Sequence, residues 1–168
     1  MKQTKNLALA IALTFFAGLS WSAQAQTKPT TLLGIEVSSG LEGGERGITY
    51  GVSFLGKTTG TLPGSFFMSL NHTSFLSPDS PINTINGGTW SLAVYQYNRY
   101  LGAIYGRVAE GSMNWKAPDT VAAVNITLMV DGGTRIFTGV SGKGTFTGSL
   151  NRMMADKPAM NGTLNLQF

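Results

Sequence analysis

The chain has 168 residues, twelve basic and eight acidic side chains, one histidine and no cysteine. Without cysteine there is no disulfide framework, thiol nucleophile, iron–sulfur cluster or cysteine zinc site. The single histidine and scattered carboxylates form no spacing typical of a metal site, and no basic run or stripe provides a footprint for nucleic acid.

In chain order, the first feature is a targeting signal. Lys2 and Lys5 form a basic front, Leu7 to Leu19 is an apolar core, and Ala23-Gln24-Ala25 is a cleavage site of the small-residue type. The expectation is cleavage after Ala25, giving a secreted or periplasmic protein of residues 26–168 that folds as one domain. With Lys2 and Lys5 gone, ten basic residues face eight acidic ones, a net charge of +2. The apolar core is too short to span a bilayer as a helix. Residues 26–30 read as a loose lead-in.

From there, period-two alternation recurs and helical patterning is nearly absent. It predicts eight strands: Thr31–Ser38, Gly47–Leu55, Ser65–Thr73, Gly88–Tyr97, Leu101–Trp115, Val121–Asp131, Gly142–Arg152 and Met160–Phe168. Ile48, Tyr50, Val52 and Phe54 oppose Thr49, Gly51 and Ser53, while Met160, Leu164, Leu166 and Phe168 oppose Asn161, Thr163, Asn165 and Gln167. A strand with one apolar face must bury that face. Leu62-Pro-Gly, Asp131-Gly-Gly and Ser141-Gly supply turn chemistry. Ser74–Asn86, with Pro78 and Pro81, reads as the one long surface loop and the expected lid or rim. Eight short strands joined by short turns predict an all-β, eight-stranded antiparallel up-and-down barrel, with a β-sandwich as second choice.

Several side chains are candidates for chemistry. Glu36 lies on the face opposite Leu33, Ile35 and Val37. Facing a cavity it would be an acid, a base or a stabiliser of positive charge; facing water it is an ordinary surface glutamate. Tyr95, Tyr105 and Trp115 belong to an aromatic-rich middle that suits either a pocket for an oxygen-bearing hydrophobic ligand or plain core and rim packing. Arg107 shares a face with Tyr105 and Ala109, and Glu110 falls on the other. Arg107 either holds a ligand carboxylate or is an exposed or salt-bridged arginine. Trp90 reads as core. His72 reads as a packed or rim histidine, because no serine–histidine–acid set can be assembled around it.

The segments Leu101-Gly-Ala-Ile-Tyr-Gly and Gly132-Gly-Thr-Arg-Ile-Phe-Thr-Gly-Val-Ser-Gly resemble the allene oxide cyclase/dirigent-like barrel families, across roughly Gly88 to Phe168. Arg135 stands where the resembling motif usually has glycine, and Ser38 where plant cyclases have asparagine; Glu36 fits their buried glutamate. The resemblance implies the same eight-stranded barrel, a small hydrophobic ligand or substrate in an apolar cavity, no cofactor, and a homo-oligomer, dimer or trimer. It leaves open a binding barrel without chemistry and a cyclase-like isomerase whose cavity folds a reactive substrate. Two other readings compete with it. An eight-stranded outer-membrane barrel would show the same alternation with its apolar face outward. A structural or surface protein would use the barrel exterior and hold no ligand.

Overall fold

A computed structural model describes residues 27–44, 47–74, 82–116, 121–152 and 158–168. The signal segment and residues 75–81 of the expected loop lie outside them. The eight strands are β1 (Thr27–Gly44), β2 (Gly47–Gly60), β3 (Gly64–Ser74), β4 (Ile82–Gln96), β5 (Arg99–Lys116), β6 (Val121–Gly133), β7 (Gly142–Asn151) and β8 (Ala159–Gln167). Each pairs antiparallel with the next, and β1 pairs with β8 from Thr27↔Gln167 to Ile35↔Ala159, closing the barrel. Closure leaves no open sheet edge over the paired length.

Several boundaries lie beyond the sequence expectation: β1 runs on from Ser38 to Gly44 and β2 from Leu55 to Gly60. Thr27–Thr30, expected as a lead-in, already belongs to β1, held by β8 on one side. Residues 82–86, expected as loop, open β4, with Ile82 opposite Asn114 and Ile85 opposite Gly111. The prolines at 78 and 81 broke the periodicity, and the short Ile82–Asn86 run was too brief to read on its own.

The apolar face points inward. Leu32, Phe54, Phe66, Met68, Leu70, Trp90, Leu92, Ile104, Leu128, Phe146, Leu164 and Leu166 form one buried cluster inside the barrel. An eight-stranded barrel is just wide enough for such side chains to fill its middle. Over β6 to β8 the outer face carries Asn125, Thr145, Thr147, Asn161 and Thr163, all exposed. Over those three strands the outer face is polar, whereas on β1 to β3 it exposes Leu33, Ile35, Val37, Leu55 and Phe67; a lipid-facing barrel needs an outward apolar band all round and a polar lumen.

One interior contact is polar. The Trp90 indole N–H donates to the Met129 carbonyl at 3.0 Å, reaching past β5 to β6. A register shift between Tyr105 and Gly106 leaves Asp131 as the extra residue on β6. A Cβ at Gly106 would overlap the Met129 carbonyl oxygen. Glycine there and the bulge together let that carbonyl face Trp90.

The two ends differ. At one lie the short β2–β3, β4–β5 and β6–β7 connections, the second leaving Tyr97 95% exposed. Leu62 is buried in the first, under a Thr58 Oγ1–H bond of 2.7 Å to its carbonyl. The third contains a single 3₁₀ turn, Arg135–Phe137, whose Phe137 is buried and meets Phe168 edge-on at 6.3 Å. At the other end residues 45–46, 75–81, 117–120 and 153–157 lie outside the described residues, and the strand ends surround a hollow, here called the mouth.

Candidate functional site

Three bulges shape that mouth. On β1, Val37 is the extra residue between Glu36↔Phe54 and Ser38↔Ser53. On β4, Asn86 is extra between the pairs Asn71↔Gly87 and His72↔Ile85. On β5, Ala109 is extra between Val108↔Leu128 and Glu110↔Thr127. An extra residue flips every later side chain to the opposite face. On β4 the inward positions change from Asn83 and Ile85 to Trp90, Leu92 and Val94. On β5 they change from Ile104 and Val108 to Met113 and Trp115. Gly88, just past the β4 bulge, has φ +136, a conformation that favours glycine.

The mouth is a hollow of about 410 Å³ lined by Glu36, Gly51, Val52, His72, Asn83, Met113, Trp115, Leu150, Arg152 and Pro158. Its floor is apolar and continuous with the core. Glu36 is half-buried; its cross-strand neighbour is the core residue Phe54, and its backbone N–H donates to the Pro158 carbonyl at 2.9 Å. Trp115 is 9% exposed, and the Arg152 guanidinium stacks over its ring at 4.0 Å. This contact holds a cation against an aromatic face. Burial, and next the positive charge of Arg152, push the His72 imidazole below its ordinary pKa, so it is neutral at pH 7. The hollow therefore combines a carboxyl group, a neutral imidazole, an amide and a fixed cation around an apolar floor. Such a set can orient a mostly apolar molecule by its polar groups and can exchange a proton with it. Among the described residues no three His, Asp or Glu side chains gather as metal ligands.

Of the residues singled out from the sequence, Glu36 and Trp115 meet in this hollow. Tyr95, Tyr105 and Arg107 do not: all three are exposed on the outer surface. Arg107 Nε and Nη2 donate to the two carboxylate oxygens of Asp131 at 2.8 and 3.0 Å, the salt-bridged alternative foreseen for it. The hydrogen bond, and then the charge, raise the Arg107 pKa; the same hydrogen bond lowers that of Asp131. Glu110, expected on the face opposite Arg107, emerges on the same outer face, because the Ala109 bulge lies between them. The same bulge separates Trp115 from Tyr105 and Arg107, which plain alternation puts together.

Two polar lining residues have no counterpart in the sequence reading: Asn83 falls in the expected loop and Arg152 closes a strand with nothing to mark it. His72, expected as a packed or rim histidine, is buried at the rim of the hollow. The signal for His72 was present, since it continues the inward face of Phe66, Met68 and Leu70.

In comparisons with protein-family models, with curated proteins and with solved structures, nothing matches this chain.

Proposed function

We propose that this protein is a barrel that binds a small hydrophobic molecule, with the ligand's polar end among Glu36, His72, Asn83 and Arg152 at the mouth. The observation that carries the reading is the placement of buried His72 and Asn83 around an apolar hollow of about 410 Å³. Polar side chains set beside an apolar floor suit a mostly apolar ligand with one polar end, and this volume is in the range of small-molecule sites. The resemblance of the late glycine-rich segments to the allene oxide cyclase/dirigent-like families supports the same reading. It extends that reading to an isomerase in which shape folds the substrate and Glu36 steers the developing charge. The basic front, apolar core and small-residue site of the signal segment support a location outside the cytoplasm after cleavage behind Ala25.

Association with further copies of this chain belongs to the same proposal. Leu33, Ile35 and Val37 on β1, Leu55 on β2 and Phe67 on β3 are exposed side by side, with Ile35 opposite Leu55 and Leu55 opposite Phe67. Together they expose roughly 400 Å² of apolar surface, within the size of patches that mark interfaces. Two such patches face to face supply the apolar centre of a standard dimer contact.

The test is native mass spectrometry of protein purified without detergent, followed by denaturing extraction. A co-purifying hydrophobic compound, lost in Trp115→Ala, is the expected result. A soluble barrel that never retains or binds such a compound would favour a structural role. If a compound is found, its unimolecular conversion by the wild type and not by Glu36→Gln identifies the isomerase; unchanged turnover in that variant removes Glu36 from the chemistry. The same spectra read the copy number.

A further inference from the structure

The closed end of the barrel carries a second, separate hollow. It measures about 340 Å³ and is lined by Arg99, Tyr100, Leu101, Arg135 and Ile136. Ile136 is 67% exposed, an apolar side chain left in water in a hollow that Arg99 and Arg135 also line.

Three observations point to a ligand. The first is charge. Arg107 on the same barrel is neutralised by Asp131, whereas neither Arg99 nor Arg135 meets a carboxylate among the described residues. The second is backbone strain. Arg135 has φ +54, in the left-handed region that disfavours any residue with a side chain, and it lies outside the two-residue Tyr97–Asn98 turn where the other positive non-glycine φ values occur. Strain of this kind persists where the surroundings enforce it, and it clusters at functional sites. The third is rigidity. Thr134 Oγ1 accepts from the Ala103 backbone N–H at 2.9 Å and sits 3.3 Å from the Tyr100 hydroxyl. Thr138 Oγ1–H donates to the Arg135 carbonyl at 2.8 Å. These bonds fix the turn and the Tyr100 ring; the Arg135 guanidinium lies 4.9 Å over that ring, and Tyr95 packs on Tyr100 at 5.4 Å between ring centres.

We infer that this hollow is a binding site for an anion carried on a flat apolar ring, such as an aromatic carboxylate. The ring lies against Tyr100, Leu101 and Ile136, and the carboxylate takes charge-assisted hydrogen bonds from Arg135 and Arg99. Guanidinium geometry suits a planar carboxylate, and the ordered groups lose little freedom on binding. The site is at the opposite end of the barrel from the mouth, so it does not depend on what the mouth holds.

The experiment is a titration of the purified protein with 1-naphthoate, followed by backbone amide shifts in NMR, with neutral 1-naphthamide as control. Saturable shifts at Tyr100, Leu101, Arg135 and Ile136 are expected. The amide, and Arg135→Gly titrated with the carboxylate, should each bind at least about tenfold more weakly. Arg135→Gly should melt no lower than the wild type, because glycine relieves the φ, and Arg135→Lys should regain only part of the affinity. Arg152→Gln, at the far mouth, should bind as the wild type does. Equal binding of carboxylate and amide, shifts confined to the Trp115 end, or no saturable shift by about 20 mM would each overturn the assignment. A lowered melting point in Arg135→Gly would show that Arg135 is kept for packing and would overturn it as well.

Discussion

Trp90 and Gly106 act on one carbonyl oxygen, and that coupling can be measured. Trp90→Phe removes the indole N–H that meets the Met129 carbonyl at 3.0 Å in the core. The lost hydrogen bond, the unpaired carbonyl and the smaller ring together cost about 2–4 kcal/mol. Gly106→Ala places a Cβ on the same oxygen, so β5 and β6 must part locally, at a cost of about 1–3 kcal/mol. Moving that carbonyl also breaks the indole bond. About 1 kcal/mol is therefore counted in both single variants and only once in the double. Equilibrium urea unfolding of the wild type, both singles and the double closes the cycle, with equal m-values as the check that the unfolded states match. The double variant should be less destabilised than the two singles added together. If their costs add to within about 0.4 kcal/mol, the Met129 carbonyl is not the shared element and the account of this core fails.

Three other outcomes follow from the structure. Deleting Ala109 makes Val108↔Leu128 and Glu110↔Thr127 consecutive pairs, so β5 becomes regular and Met113 and Trp115 should stay inward; a Trp115 fluorescence moved to that of a water-exposed indole would show that the pairing does not set the side-chain direction. The folded pKa of His72 lies below its unfolded value, so the stability present above about pH 6.5 is lost as pH falls from there through the folded value. Arg152→Gln should shift the His72 titration upward in NMR, and a fixed titration would place the cause in burial alone. Asp131 is depressed by its hydrogen bond from Arg107, so its small contribution is present above the unfolded carboxyl pKa and lost as pH falls through the folded one. Arg107→Ala should raise the Asp131 pKa and leave the melting point unchanged, since the pair is exposed and screened.

Much of the fold was legible from alternation alone. All eight strands form where the period-two pattern lies, and Trp90, grouped with Leu92 and Val94, is core as expected. Glu36 was also legible as a residue facing away from Leu33, Ile35 and Val37: those three are exposed and Glu36 faces the hollow. Trp115 has the parity of Tyr105 and Arg107, yet it faces the hollow while they face outward. Parity counting carries a face along a strand only while the pairing is regular, and the extra residue at Ala109 changes it. Asn83 was lost the same way, behind the Asn86 bulge and the prolines at 78 and 81.

The sequence by itself determined that the chain forms eight amphipathic antiparallel strands, because burial of one face is written in the local order of apolar and polar residues. It did not determine which way the apolar face points. Alternation is symmetric between a packed core and a lipid-facing wall, and only closure of β1 onto β8 around Phe54, Phe66, Trp90 and Phe146 decided it. Nor did it determine which polar residues meet at the mouth. A bulge is a mismatch between two strands far apart in the chain, so the side-chain direction of Asn83 and Trp115 is settled by pairing partners and not by their own neighbours.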